Sequence, residues 1–273
     1  MGRHRPAGAY GLTFHGLPDS LLVPVPPETH WPGIRVSTEV CSGQRDEYVS
    51  PDSALLPLVG GSWASLDRQG SRATLLTDRP EDGALLHPFL ATAAVIFSWW
   101  HGRHAFHGGA FLGSAGHAWA LAAERGAGKS STLAALARNG TTVVADDLLV
   151  VDQGLVFAGP RIIDLRPDAA LELALDGVHT VREGARRRLV LGPAPAQSPL
   201  AGWIFLSWGP AVSVRRLSPM EWLERATSHL NTVTSGSPSI LHLAGGEAWE
   251  LTRPRALDSL EATVEELRAL TGG

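Results

Sequence analysis

Hydrophobic residues follow two different patterns along the chain, and the pattern changes at about one third of its length. Over residues 9–76, short β-rich runs alternate with connections that contain proline or glycine, such as Pro24-Val-Pro-Pro27 and Gly60-Gly61. This alternation predicts a small β-rich N-terminal subdomain, whose boundary we place at residue 86. Its predicted strands are 9–14, 21–25, 34–38 and 73–77.

From residue 87 onward the pattern is typical of a layered α/β domain. His87-Pro88 begins a predicted helix that runs to about Trp100 and is apolar around nearly its whole circumference. Near-continuous apolar runs at 105–112, 117–123, 142–145 and 148–152 suit strands that are covered on both faces of a sheet. Further strands are predicted at 161–165, 188–191, 202–208, 212–217 and 248–251, and helices at 129–139, 167–175, 219–230 and 257–270. The chain is therefore predicted to be α/β, with a subdomain at 1–86 and a larger domain at 87–273.

Composition and charge argue against several classes of partner. The chain has 273 residues, and 23 Lys+Arg against 27 Asp+Glu give a net charge of −4, which implies no basic face for nucleic acid. Cys41 is the only cysteine, so an intrachain disulfide is impossible and a reducing compartment fits. The longest apolar run, 89–100, is shorter than the ~20 residues of a membrane-spanning helix, and no apolar signal segment follows the N-terminus. We expect a cytoplasmic protein that binds neither nucleic acid nor a membrane.

A phosphate-binding loop is the strongest chemical signal in the sequence. The segment 123–130 reads A-E-R-G-A-G-K-S between a predicted strand and a predicted helix, where Gly126 and Gly128 allow backbone N–H groups to turn inward. Lys129 is placed to bridge the β- and γ-phosphates, and the Ser130 hydroxyl to hold Mg²⁺. The first glycine of the usual pattern is replaced by Ala123. The predicted nucleotide-binding residues are Glu124, Arg125, Gly126, Ala127, Gly128, Lys129, Ser130 and Ser131.

Two adjacent carboxylates follow the next predicted strand. Asp146 and Asp147 come directly after the apolar run 142–145, at the strand end where α/β sheets place ligands. In a phosphate-loop site one such carboxylate meets Mg²⁺ and a second can accept a proton from the nucleophile. The pair fits transfer of a γ-phosphoryl group to a hydroxyl, and it fits hydrolysis almost as well.

These motifs resemble a known family. The segment His107-Gly-Gly, followed by the phosphate loop and then by Val144-Ala-Asp-Asp147, is similar to the catalytic domain of HPr serine kinase/phosphorylase. The resemblance implies a P-loop, HPr-kinase-like catalytic core that uses ATP and Mg²⁺. It also implies that Asp147 is the proton acceptor, that His107 assists it, that Lys129 contacts the phosphates, and that Asp146 lies with Ser130 beside the metal.

The resemblance weakens beyond residue 152. The family's signature Glu-x-Arg has its nearest match in Asp164-Leu-Arg166, and the glycine-rich run that accompanies the signature is absent. By this match Asp164 is a candidate metal ligand and Arg166 a candidate phosphate contact, although Asp-Leu-Arg-Pro is equally typical of a strand exit and helix start. Arg161 and Arg187 are further candidates for contacting phosphate or an acidic substrate, although the arginine cluster 182–188 is also typical of a solvated loop.

The overall plan of the chain is also similar to HPr-kinase-related proteins of ribosomal peptide clusters, including lasso-peptide tail kinases. This broader resemblance implies a serine-bearing peptide or small protein as the substrate, and the family's ring assemblies imply a homo-oligomer. Two alternatives stay open from the residues alone. One is a regulator that binds nucleotide without catalysis, and the other is a kinase of a small metabolite such as free serine.

Overall fold

A computed structural model of the protein describes residues 6–78, 85–181, 184–231, 233, 240–243 and 246–272. Arg182 of the arginine cluster lies outside these residues. The strands are β1 (Ala7–Ala9), β2 (Leu12–His15), β3 (Val23–Pro24), β4 (Gly33–Val40), β5 (Tyr48–Val49), β6 (Ser53–Pro57), β7 (Trp63–Asp67), β8 (Arg72–Thr77), β9 (His104–Leu112), β10 (Ala118–Ala123), β11 (Val143–Ala145), β12 (Leu148–Asp152), β13 (Leu155–Phe157), β14 (Ile162–Leu165), β15 (His179–Val181), β16 (Arg186–Val190), β17 (Gln197–Trp208), β18 (Ser213–Arg216) and β19 (Glu247–Arg253). The α-helices are α1 (Phe89–Trp100), α2 (Lys129–Arg138), α3 (Pro167–Glu172), α4 (Pro219–His229) and α5 (Leu260–Leu270). The predicted α/β class is confirmed.

The N-terminal part is a sheet of eight strands in the order β3-β1-β2-β4-β8-β7-β6-β5, so the β-rich prediction is confirmed. The predicted strand 9–14 is two strands, because Tyr10 and Gly11 have φ angles of 57° and 75° and form a tight turn. Strands β5, β6 and β7 were not predicted from the hydrophobic pattern. These strands are short, and β7 buries only Ala64 and Leu66, which is too weak an alternation to identify a strand.

The second sheet carries the phosphate loop. Its order is β10-β9-β12-β13-β17-β19-β18, and β10 also pairs with β17, so the strand pairings form a closed circuit. Strands β10, β17 and β19 lie side by side and parallel, whereas β9 pairs antiparallel with β10, β11 and β12. The carboxyl ends of the three parallel strands therefore share one edge of the sheet, where ligands bind in α/β folds. A separate three-stranded sheet has the order β14-β16-β15.

Alternate residues of the parallel strands face two different helical layers. Leu121, Ile204 and Leu251 belong to one buried cluster together with α2 and α5. Trp203 and its neighbours on the opposite face belong to another cluster, which includes Trp222 of α4. The prediction of burial on both faces is confirmed for β10, and the same burial explains the near-continuous apolar sequence of β17.

Helix α1 lies between the two parts of the chain. A single buried cluster contains Phe97 of α1, Leu75 of the N-terminal sheet, and Leu148 of β12. One core thus joins residues from both sides of the boundary predicted at residue 86. Among the described residues, no helix has the length and apolarity needed to cross a membrane.

Candidate active site

The phosphate loop connects β10 to α2. Gly126 and Gly128 both have φ angles of 87°, a left-handed conformation that only glycine adopts without strain. Glu124, Arg125 and Gly126 are exposed, whereas Ala127 is buried. Ser131 is half-buried in the first turn of α2. The backbone therefore has the strand-loop-helix form that was predicted from the glycine spacing.

The alanine that replaces the first glycine of the usual pattern has a structural explanation. Ala123 is the last residue of β10 and pairs with Leu206 of β17 in a regular parallel ladder. Its backbone does not have a positive φ angle. A glycine is not needed at this position, because the left-handed turns of the loop occur only at Gly126 and Gly128.

Lys129 is buried at the start of α2 and links the loop to strand β9. Its Nζ donates to the carbonyl oxygen of Ala123 (3.0 Å) and lies 2.9 Å from Nε2 of His107. Burial lowers the pKa of Lys129, against the opposing charges of Asp146 and Asp147. Burial and the charge of Lys129 also lower the pKa of His107. A neutral His107 therefore accepts from the Lys129 ammonium at Nε2, which places its own proton on Nδ1.

Ser130 and Asp146 meet beside the N-terminus of α2. The Ser130 hydroxyl donates to Oδ1 of Asp146 over 3.1 Å, and Asp146 is only 8% exposed. Burial, together with the neighbouring charge of Asp147, raises the pKa of Asp146 to about 7. The predicted pair of oxygen ligands is thus assembled in one place, with the carboxyl group poorly stabilised as an anion until a cation joins it.

Asp147 occupies a break between β11 and β12. Its φ angle is 68°, and the N–H of Leu148 donates to the carbonyl oxygen of Asp146 (2.8 Å) in a tight turn. The Asp147 side chain is 42% exposed, and its Oδ1 lies 3.9 Å from Nδ1 of His107. The turn thus brings the buried carboxylate of Asp146 and the accessible carboxylate of Asp147 to the same site.

The glycines of the His107-Gly-Gly segment allow this turn to pack against β9. A Cβ atom at Gly109 would lie 2.6 Å from both the carbonyl oxygen of Ala145 and Cδ1 of Leu133, and 3.3 Å from Cα of Asp146. Any side chain there would push the end of β11, and Leu133 of α2, away from β9. The register that pairs His107 with Leu148 then sets the imidazole beside Asp147.

Two residues near the carboxylates were not identified from the sequence. Nδ1 of His87 lies 3.4 Å from Oδ2 of Asp147, so two histidines flank this carboxylate. Tyr10 is buried, and its pKa is raised well above the ordinary value, first by burial and then by the charges of Asp147 and Asp146. The N-terminal sheet therefore reaches the site. In the sequence, His87 is recognisable only as part of a helix start and Tyr10 carries no signal, because both contacts depend on tertiary packing.

Asp164 is not available as the metal ligand that the sequence suggested. Its Oδ1 accepts from Nε of Arg188 (2.7 Å) and its Oδ2 from Nη2 (2.8 Å), and both side chains are 7% exposed. The pair forms across the register of β14 and β16, where Asp164 is directly opposite Arg188. The prediction is corrected: Asp164 is one half of a buried, bidentate ion pair.

Arg161 is likewise not a free phosphate contact. The guanidinium donates to the carbonyl oxygens of Val143 (2.7 Å), Val144 (3.2 Å) and Gly192 (2.8 and 2.9 Å), and the residue is 4% exposed. Burial lowers its pKa to about 10, so it keeps its charge at neutral pH. Its contacts hold β11 in place, so Arg161 supports the strand that delivers Asp146 instead of meeting the substrate.

The two other arginine candidates are on the surface or close to it. Arg166 is exposed at the N-terminal boundary of α3. Arg187 is half-buried on β16, where it donates to the carbonyl oxygens of Gly184 and Arg186 (both 3.4 Å). None of the hydrogen bonds or ion pairs of the described residues joins Arg166 or Arg187 to the phosphate loop, and their proposed contacts with substrate remain predictions.

The corrected role of Asp164 gives an expected result. Asp164→Asn should lower the free energy of unfolding by about 3 kcal/mol, because Arg188 is left buried without its counter-charge. Urea unfolding measures this loss. Removing both charges with Asp164→Leu and Arg188→Met should cost less than Asp164→Asn alone. ATP affinity of the folded variant should not change, and a selective loss of Mg²⁺-dependent binding with normal stability would restore the metal-ligand hypothesis.

Comparisons with known proteins find similarities among solved structures. No protein family model matches the chain, and no curated protein sequence matches it. Among solved structures, the HPr(Ser) kinase/phosphatase from Coxiella burnetii is similar at 14% sequence identity with a TM-score of 0.32. That alignment covers 61% of this chain and 90% of the other. The functional assignment therefore depends on the residues of the site.

Proposed function

We propose that this protein is an ATP- and Mg²⁺-dependent kinase that transfers the γ-phosphoryl group to a serine hydroxyl of a peptide or small protein. One observation supports the proposal above all others. Lys129 and Ser130 of a phosphate loop converge with the Asp146-Asp147 pair, so a phosphate cradle, two metal-binding oxygens and an accessible carboxylate share one site. Such a site has the components that phosphoryl transfer needs.

The residues present fit a magnesium ion. The Ser130 hydroxyl and the Asp146 carboxylate are hard oxygen donors only 3.1 Å apart. Within the described residues, no group of three or more His, Cys, Asp or Glu side chains is arranged to hold a metal ion. Mg²⁺ commonly binds through one or two protein ligands together with water and substrate phosphates, so Ser130 and Asp146 suffice. When bound, the ion would neutralise charge on the phosphate oxygens.

The other residues divide the remaining tasks. The backbone N–H groups of the loop and the positive end of α2 would hold the phosphates, with Lys129 supplying a positive charge. Asp147 would accept the proton of the attacking serine hydroxyl as the new oxygen–phosphorus bond forms and the bond to ADP breaks. Neutral His107, whose Nδ1 lies 3.9 Å from Oδ1 of Asp147, would keep that carboxylate oriented.

The accessibility of Asp147 supports an acceptor larger than a metabolite. Its side chain is 42% exposed and lies at a turn on the sheet edge, so a peptide segment can bring a serine to it. The broader resemblance of the chain's overall plan supports the same class of acceptor. The alternatives, a small-metabolite kinase and a non-catalytic nucleotide-binding regulator, predict different outcomes in a single experiment.

The test is a single-turnover assay with γ-labelled ATP, Mg²⁺ and a set of serine-containing peptides. We expect the label to move to serine peptides and not to matched peptides in which alanine replaces serine. Transfer to free serine, with no transfer to peptides, would identify a metabolite kinase. If ATP binds but remains intact with every acceptor, the protein is a regulator and the kinase proposal is wrong.

A further inference from the structure

The sheet edge that carries the phosphate loop holds two residues to which no role has been assigned. Trp208 ends β17 and Arg253 ends β19, and the two are paired in the parallel register of these strands. Because β10 runs parallel to β17 and leads into the loop, both side chains extend from the same edge as residues 124–128. They are candidates for contact with a molecule held by the loop.

Arg253 packs directly against the loop. A Cβ atom at Gly128 would collide with Nη2 of Arg253 and would lie 3.3 Å from Cη2 of Trp208. The guanidinium carbon is 4.4 Å from the centre of the Trp208 ring, which is a cation–π contact. Gly128 thus leaves room for a guanidinium group at the point where the loop enters α2.

The charge of Arg253 is not balanced by the protein around it. The residue is 1% exposed, and no carboxylate forms an ion pair with it among the described residues. Among the described residues, hydrogen bonds form only at Nη1, which donates to the carbonyl oxygens of Pro254 and Ala256 and to Oγ of Ser259 at 3.2–3.3 Å. Nε is buried without a partner, and Nη2 has no acceptor within the part of the chain that the structure describes.

An unpaired buried cation is costly, so its presence beside an anion-binding loop calls for an explanation. Burial lowers the pKa of Arg253 to about 10, which still leaves the guanidinium charged at neutral pH. Other buried arginines of this chain are satisfied: Asp164 neutralises Arg188, and four hydrogen bonds to backbone carbonyls satisfy Arg161. Arg253 is the exception among these three, and it is the one that touches the loop.

We infer that Arg253 is a phosphate-binding residue, which donates from its free guanidinium nitrogen to the phosphate chain of a nucleotide held on the loop. The inference rests on the proposed nucleotide binding, but not on the phosphoryl transfer. Trp208 positions the guanidinium by stacking against it, since a planar cation on an aromatic face keeps its in-plane N–H groups available. Strand β19 thus contributes a second positive charge beside the loop, from a residue more than 100 positions after Lys129 in the sequence.

The test is direct binding of ATP and of inorganic tripolyphosphate, each with Mg²⁺, measured by isothermal titration calorimetry. Arg253→Met retains an unbranched stem over Trp208 but removes the charge. We expect both ligands to bind roughly 10- to 100-fold more weakly to this variant, because a charge-assisted hydrogen bond to phosphate is lost. Thermal unfolding of the ligand-free variant should occur at or above the wild-type temperature, while a given concentration of ATP should stabilise the variant less than the wild type.

Arg216→Met is the matched control. Arg216 also packs over a tryptophan, with its guanidinium 5.8 Å from the ring centre of Trp249, but it lies on β18 and not at the loop. Loss of a cation–π contact alone would affect both variants equally, whereas our inference predicts weaker binding only for Arg253→Met. If Arg253→Met does not fold, Arg253→Lys provides the test. Lysine keeps the positive charge but lacks the planar guanidinium, so about fivefold weaker binding of both ligands is expected.

The outcomes separate this inference from the kinase proposal. Wild-type affinity for ATP and tripolyphosphate in folded Arg253→Met would show that Arg253 only supports the loop, and would overturn the inference whether or not the protein is a kinase. Weaker binding in that variant, together with a wild-type protein that binds ATP but transfers no phosphate, would support the inference and overturn the kinase proposal.

Discussion

Replacing Asp147 with asparagine is expected to slow phosphoryl transfer to serine by about 10²- to 10⁴-fold. The amide cannot accept the hydroxyl proton, while its size preserves the turn between β11 and β12. The affinity for ATP should change little, because the phosphate cradle is formed by the loop, by Lys129 and by Ser130. Single-turnover transfer from γ-labelled ATP to a serine peptide measures the rate, and calorimetry measures the affinity.

Asp176→Asn, an exposed change in the turn after α3, is the control for the asparagine substitution and should transfer at the wild-type rate. Equal rates for Asp147→Asn and wild type would show that Asp147 is not the base.

His87→Asn tests the second contact of the Asp147 carboxylate, in which Nδ1 of His87 lies 3.4 Å from Oδ2 of Asp147. If His87 only orients Asp147, its loss should lower the rate less than the loss of Asp147 itself.

The parts of the site that are local in sequence were predictable. The phosphate loop needs two glycines with positive φ angles, a lysine and a serine in consecutive order, and all of these lie within 126–130. Strand β10 was predictable from the apolar run before the loop, and helix α2 from the alanine- and leucine-rich segment after it. The position of Asp146 after a buried strand was predictable for the same reason, since chain order alone places it at a strand end.

The contacts that depend on register were not predictable from local pattern. Asp164 appeared to be a free carboxylate because its partner, Arg188, follows 24 residues later and meets it only when β14 and β16 pair. Arg253 and Trp208 reach the loop because β10, β17 and β19 are neighbours, an order that hydrophobic periodicity does not encode. His87 approaches Asp147 through the packing of the segment before α1, for which the sequence offers no signal.

Asp146→Asn is expected to stabilise the ligand-free protein at neutral and higher pH. The pKa of Asp146 is raised from 3.8 to about 7 by burial and by the charge of Asp147, so the folded protein binds a proton more tightly than the unfolded chain does. Stability therefore falls as the pH rises from about 4 to 7, and the full cost remains above that window. Asparagine is neutral throughout and its Oδ1 can still accept from Ser130, so it avoids this cost.

The stabilisation should be about 2–4 kcal/mol at pH 8 and should vanish near pH 4. Urea unfolding at the two pH values, without Mg²⁺ or nucleotide, measures it, and Asp176→Asn should show no such difference. A stability change that is the same at both pH values would refute the assigned cause.

The Asp146→Asn variant should also lose Mg²⁺-dependent phosphoryl transfer by at least about 100-fold, because one of two oxygen ligands is removed. Greater stability combined with lost activity is the result expected when a buried carboxylate is retained for a cation instead of for the fold.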